Sequence, residues 1–207
     1  MQGSAVAGES AGQPVPTNRF LGLKLAPGVK ARNMLTYLWA AMVTSGYAGG
    51  MAFLQPSLLS LMKIEAGQQA IVTTQLQLTQ EAVFIVATGL FGSLAERAGR
   101  RVVYVGGLLV AALGYALYPS GDSVGMLFVF RFVYSLGGAA ILAMMVTVIA
   151  DYAHEEHRGK ANGIQGLVVT LGAFIPLILT QVASARKEAG ASLEEAVASS
   201  FHAASVL

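Results

Sequence analysis

Long uncharged stretches separated by short polar knots are the dominant pattern of the chain. Residues 35–62 carry no charge, residues 71–95 carry only Glu81, and residues 102–118 carry none before the turn sequence PSGDS. Residues 124–150 follow with Arg131 alone, and residues 161–183 again have no charge. A hydrocarbon core about 30 Å thick is crossed by about 20 helical residues rising 1.5 Å each, and each stretch meets or approaches that length. Backbone polar groups in lipid must be bonded within their own segment, which dictates helices. The pattern predicts an all-α polytopic membrane bundle of five complete transmembrane helices. Residues 184–207 begin polar and turn apolar at their end, as an outer loop leading into the start of a sixth span would.

Composition agrees. Hydrophobic residues make up 55% and charged residues 12% of the 207, with a mean hydropathy of +0.61. A water-soluble domain carries about twice that charge. The first 34 residues differ from the rest: MQGSAVAGESAGQPVPTNR lacks an apolar core and reads as a disordered tail, ending in the basic residues Arg19, Lys24, Lys30 and Arg32. The stretch RFLGLKLAPGVK within it is short and apolar enough to rest on a membrane surface. A net charge of +2 points to no nucleic-acid partner, and the absence of cysteine removes disulfides and thiolate metal sites.

Orientation follows from where Lys and Arg fall in the short loops. The tail has four, the loop between spans two and three has Arg97, Arg100 and Arg101, and the loop between spans four and five has Arg158 and Lys160. The opposite side has Lys63, no basic residue in PSGDS, and in the terminal segment Arg186 and Lys187, diluted by three glutamates. The amino terminus is therefore expected in the cytoplasm, with the protein integral to the plasma (inner) membrane.

One loop carries more than topology requires. In FGSLAERAGRR, Gly92 allows close helix approach, Gly99 allows a reversal with positive φ, and Glu96 can face the positive end of a helix. Its arginines can clasp a carboxylate such as Asp151 at the end of span four. A cluster of this kind, made in one conformation and broken in another, would serve as a latch.

The stretch GSLAERAGRR resembles the signature of the major facilitator superfamily, Gly-x-x-x-Asp-Arg-x-Gly-Arg-Arg, in the same loop, with Glu96 in place of the usual Asp. RFVYSLGGAAI, containing Arg131, resembles that family's Arg-x-x-x-x-Gly pattern in helix four, and DYAHEEHRGKANG, with Arg158, resembles its following loop. The resemblance covers about residues 35–183 and implies the N-terminal half of a twelve-span secondary transporter working by alternating access. It implies a latch role for Gly92, Glu96, Arg97, Gly99, Arg100, Arg101, Asp151 and Arg158. It also implies that helices one and four line a cavity, making Tyr37, Thr44 and Gln55 candidate substrate contacts. The expected partners are a small-molecule solute, protons, the lipid bilayer, and either a missing C-terminal half or a second half-transporter. A non-transporting scaffold or sensor built on such a half is the alternative. The antiporter pattern of helix five is met only in part: Gly163 and Gly172 are spaced as expected, but Pro176 falls where a glycine belongs.

The two charges inside the spans draw attention because each costs about 3 kcal/mol near a bilayer centre on insertion scales. Glu81 shares a helical face with Thr74, Gln77 and Thr88, read as an inward polar stripe; it is a candidate proton-coupling carboxylate, a neutral or Arg-paired helix tie, or a wet residue near the outer surface. Arg131 shares a face with Tyr134, Ser135 and Gly138 and is a candidate for proton coupling or anion binding, or else a buried tie. Gln77 and Tyr134, one turn from these charges, join the candidate substrate contacts. No enzyme constellation appears: the glycines of RRVVYVGGLLVAALG miss the nucleotide fingerprint spacing, and His154 and His157 are three apart rather than four. No cofactor and no metal are expected.

Overall fold

A computed structural model describes residues 18–178 together with Gln181, Ser192 and Glu195. Five long helices follow a short hairpin. Strands β1 (Arg19–Phe20) and β2 (Leu23–Lys24) pair antiparallel and lead into α1 (Ala31–Leu61). Next come α2 (Ala66–Ala98), α3 (Arg100–Leu117), α4 (Val124–Tyr152) and α5 (Arg158–Gly172). Single 3-10 turns at Tyr118–Ser120 and Glu155–His157 flank α4. Among the described residues, four segments are long and apolar enough to cross a membrane: Ala66–Ala98, Arg100–Ser120, Val124–Tyr152 and Glu155–Ile178. The first long helix, α1, equals them in length, but glycine, serine, threonine and tyrosine along TSGYAGG dilute its hydropathy.

The breaks between helices have local causes. Gly99 separates α2 from α3 with φ 90°, a conformation L side chains rarely adopt, so the chain reverses within one residue. At the start of α4 the Ser123 hydroxyl accepts a bond from the Met126 N–H, satisfying one of the otherwise unpaired donors of the first turn.

Helix α4 is the centre of the body, packing most extensively on α3 and α2, while α5 lies along α1. Lipid offers no hydrophobic drive for helices to associate, so contact depends on close fit between small residues. The α3–α4 seam shows this: a Cβ placed on Gly137 would lie 2.3 Å from the Ala111 N and 2.5 Å from the Gly107 O, and one on Gly114 would lie 2.5 Å from the Tyr134 N. Across the α1–α5 seam, Gly172 meets the Met42 carbonyl and the Ser45 hydroxyl donates to the Val169 carbonyl at 2.6 Å.

Two expectations about the fold are corrected. The reading of residues 1–34 as one disordered basic tail fails for residues 18–34. There Leu23 and Leu25 are fully buried against Met34, Tyr37, Leu38, Ile149, Ala153 and Ala161. The hairpin continues onto the end of α4: Leu25 pairs with Ala153, Ala26 N–H donates to the Tyr152 carbonyl at 2.9 Å, and His154 N–H donates to the Lys24 carbonyl at 3.0 Å. Two apolar side chains and a short ladder supply what a tail of that composition lacks. Gly92, expected to mediate close packing, has nothing within 4 Å of where a Cβ would stand; the glycines that close the seams lie on α1, α3, α4 and α5. Residues 1–17 and most of 179–207, including the end of span five and the start of a sixth, lie outside the described residues. Ser192 and Glu195 bond reciprocally, each backbone N–H to the other's side chain at 3.1 Å, the capping-box arrangement.

Lys24 clamps the hairpin through a 3.1 Å ion pair to Glu156. The Lys24 hydrogen bond, then its charge and that of His154, hold the Glu156 carboxyl below the usual carboxylate range. A carboxyl with a depressed folded pKa contributes stability above its unfolded pKa and loses it as pH falls through the folded value. The bridge is therefore expected to weaken only below about pH 4. Amide exchange at Lys24, Leu25 and His154, corrected for intrinsic rate, should quicken there in the native chain. In Glu156→Gln it should already be a few-fold faster than in the native chain at neutral pH.

Candidate functional site

Polar side chains from four helices converge near the end of the body opposite Gly99. Arg131 of α4 is 96% buried, at 4% exposure, and its Nη1 donates to Gln55 Oε1 of α1 at 3.2 Å. The Tyr118 hydroxyl, at the end of α3, donates to the same oxygen at 3.4 Å, and Gln55 Nε2 donates to Thr73 Oγ1 of α2 at 3.1 Å. The Tyr134 ring lies 5.7 Å from the Arg131 guanidinium carbon, within cation–π range, and packs edge-on against Tyr115 at 6.0 Å. Ser135 donates to the Arg131 carbonyl at 2.6 Å.

What this network lacks is a carboxylate. Among the described residues no acid lies within ion-pair distance of Arg131, and its Nε finds no hydrogen-bond partner. The guanidinium is thus a buried cation with no counter-charge beside it among the described residues. Neutral oxygens and one aromatic face hold it, with one donor unused. Such a group attracts an anion or favours the ionised form of any acid brought beside it.

The second polar constellation sits at the other end of α4, about 30 Å away by helix rise over twenty residues. Arg100 at the first turn of α3 forms an ion pair with Asp151. Arg158 pairs with Glu155 at 3.7 Å. Glu96, Arg97 and Arg101 are exposed and form no ion pair among the described residues. The loop thus contributes one clasp, Arg100 to Asp151, plus the Gly99 reversal that presents it.

The other candidates separate. Tyr37 is buried and donates to the Met145 carbonyl at 2.7 Å, tying α1 to α4, and Thr44 donates to Ala40 within its own helix at 2.8 Å. Of the stripe of Thr74, Gln77, Glu81 and Thr88, the first three are exposed on this body, while Thr88 is half-buried with its hydroxyl buried. The reason is angular. Leu76 and Ala87, which α2 buries, lie within about 20° of each other, and at about 100° per residue Glu81 lies about 140° from Leu76. Gln55, Arg131 and Tyr134 are therefore brought together, while Gln77 and Glu81 face away from them. Sequence reasoning missed Thr73 and Tyr118. Thr73 is next to Thr74 but turned inward, and Tyr118 reads as the last residue of a span rather than as a donor.

A sequence profile described as the Major Facilitator Superfamily matches residues 38–186. The chain is 32% identical over 104 residues to the Multidrug transporter protein MdtP of Bacillus subtilis, covering 50% of this chain and 18% of that protein. It is 32% identical over 94 residues to Citrate exporter 1 of Aspergillus niger, covering 44% and 18% respectively. It is 27% identical over 154 residues to the Minor myo-inositol transporter IolF of Bacillus subtilis, covering 74% and 33%. The matched region thus spans between about a fifth and a third of these relatives' length. No solved structure matches the chain significantly.

Proposed function

Since this chain belongs to the Major Facilitator Superfamily, an integral-membrane family, we propose that it forms one half of a secondary active transporter. In this reading it moves a small solute by alternating access, coupled to protons, with a second half completing the cavity. One observation supports the reading most: buried Arg131 donates to Gln55 of α1, which Tyr118 and Thr73 hold in turn, and among the described residues no acid lies within ion-pair distance of it. An acid docking against that cation, on the solute or on the second half, is stabilised in its ionised form. It reprotonates when the opposing wall moves away. That is the coupling a proton-driven cycle needs. The outward stripe of Thr74, Gln77 and Glu81 provides a polar face for the second half.

The relatives named above are transporters and exporters of drugs, citrate and myo-inositol by name. That range leaves the solute class to be set by side chains from both halves. A proteoliposome assay of the complete polypeptide, with and without an inward-acid gradient, tests the reading against a scaffold. Accumulation above equilibrium that collapses with the gradient is expected. Binding without any net movement would favour a sensor. Glu81→Gln should lower gradient-driven accumulation while sparing counterflow exchange; unchanged accumulation removes Glu81 from the coupling.

The Arg100–Asp151 pair acts in this scheme as the latch at the basic end, which the loop charges assign to the cytoplasm. Its side chains are 44% and 45% exposed, and an ion pair that wet is worth at most about 1 kcal/mol. Breaking it with Asp151→Asn should shift the ratio of inward- to outward-open states by no more than about five-fold. Exchanging the two charges, Arg100→Asp with Asp151→Arg, should restore much of it. Distance measurements between spin labels at the basic end would read the shift.

A further inference from the structure

We infer that the tip of the β1–β2 hairpin is an interfacial anchor for an anionic phospholipid, with Leu21 entering the headgroup boundary and Lys160 and Arg19 holding the phosphate. The inference begins with a residue in the wrong place for its type. Leu21 and Gly22 form the two-residue turn and both have positive φ, 49° and 73°, as the hairpin's twist requires. Asparagine or glycine adopts that conformation with little strain; leucine does not. Leu21 gains no internal packing in return, being 69% exposed while Leu23 and Leu25 on the same hairpin are fully buried.

The surroundings say what that leucine faces. A Cβ on Gly22 would lie 2.9 Å from the Lys160 Nζ, so the ammonium rests against the turn. Lys160 begins a helical face of α5 that continues at Leu167 and Leu171, seven and eleven residues on, which are 68% and 62% exposed. The apolar part of this face runs along the segment long and apolar enough to cross a membrane and ends in Lys160 beside the turn, the pattern of a face leaving the hydrocarbon at its basic end. The local charge is unbalanced. Lys24 is occupied by Glu156 and Arg158 by Glu155, whereas Arg19 and Lys160 have no acidic partner among the described residues. An apolar tip beside two unpaired cations at the basic end of the helices complements a lipid phosphate above its acyl chains. A free phosphate would leave Leu21 without a role.

This inference rests on α5 crossing the bilayer and is independent of whether the protein transports. The chain has no cysteine, so Leu21→Cys places a single environment-sensitive probe at the tip of the intact protein. Quenching by brominated phosphatidylglycerol and by brominated phosphatidylcholine in reconstituted vesicles gives their relative binding constant at that spot. Each basic residue near an anionic surface is worth about a five-fold preference. The phosphatidylglycerol preference is expected to be at least that, and to fall toward unity in Lys160→Gln combined with Arg19→Gln. A probe at Glu155→Cys, in the same loop region but off the tip, should stay unquenched. A tip probe quenched by neither lipid, whether open to aqueous iodide or covered by other protein, overturns the anchor. So does quenching equal for the two lipids and unchanged by the lysine and arginine replacements.

Discussion

Replacing Gly137 with alanine is expected to destabilise the protein by about 2 kcal/mol or more, although it adds one methyl group and improves helix propensity. The added carbon would fall 2.3 Å from the Ala111 N, 2.5 Å from the Gly107 O and 2.8 Å from the Ala111 Cα, all backbone atoms. A side chain can rotate away from an intruder, but two helix backbones can only separate, and separation breaks the close fit along the whole seam. Gly137→Val should be worse still. The comparison that isolates the cause is Gly106→Ala on the facing helix α3, where a Cβ meets nothing within 4 Å. That variant should stay within about 0.5 kcal/mol of the native chain. Unfolding titrations in mixed micelles would rank the three; equal loss for Gly106→Ala and Gly137→Ala would mean the seam is not what glycine is needed for.

Arg131→Met should separate stability from activity. Replacing a buried charged group by an apolar one of similar length is often neutral or stabilising, because the desolvation penalty goes with it. Thermal stability is therefore expected to hold or rise. Solute transport by the complete protein should fall at least about ten-fold, since a hydrogen bond to a charged partner is worth about 1.5–3 kcal/mol and each 1.4 kcal/mol is a factor of ten. The opposite variant, Gln55→Leu, leaves the guanidinium and the Tyr118 hydroxyl without their acceptor and removes the donor to Thr73 Oγ1. It should cost about 3 kcal/mol of stability. Arg131→Lys keeps the charge but not the planar fork and is expected to rescue little. If Arg131→Met transported at the native rate, the buried cation would be a structural tie and nothing more.

The helices were legible because lipid forces every uncharged run of sufficient length to satisfy its own backbone, and the breaks at Gly99 and PSGDS are local. Which way each helix faces was not legible in the same manner. In a soluble protein the buried face is apolar and the wet face polar, but in a bilayer both faces are apolar and the periodicity carries little direction. Glu81, read as facing inward, is exposed on this body, and Gly92 was credited with a contact that Gly107, Gly114 and Gly137 make. Arg131, Gln55 and Tyr134 could be nominated singly, but that they meet depends on the α1–α4 crossing, which no single helix encodes. The hairpin was hidden differently. Its turn uses Leu-Gly where Asn-Gly would have announced it, and its strands are two residues each.

The unbroken length of α4 has a geometric consequence. Val124 to Tyr152 runs without a proline or a break, with Arg131 toward one end and Asp151 at the other. A rigid rod of this kind works as a lever: over about 30 Å, a tilt of about 5° swings one tip by about 2.6 Å relative to the other. That displacement exceeds what a hydrogen bond tolerates. A solute or proton event at the deep cation can thus be felt as a broken clasp on the far surface, with no wire of intervening contacts to carry it.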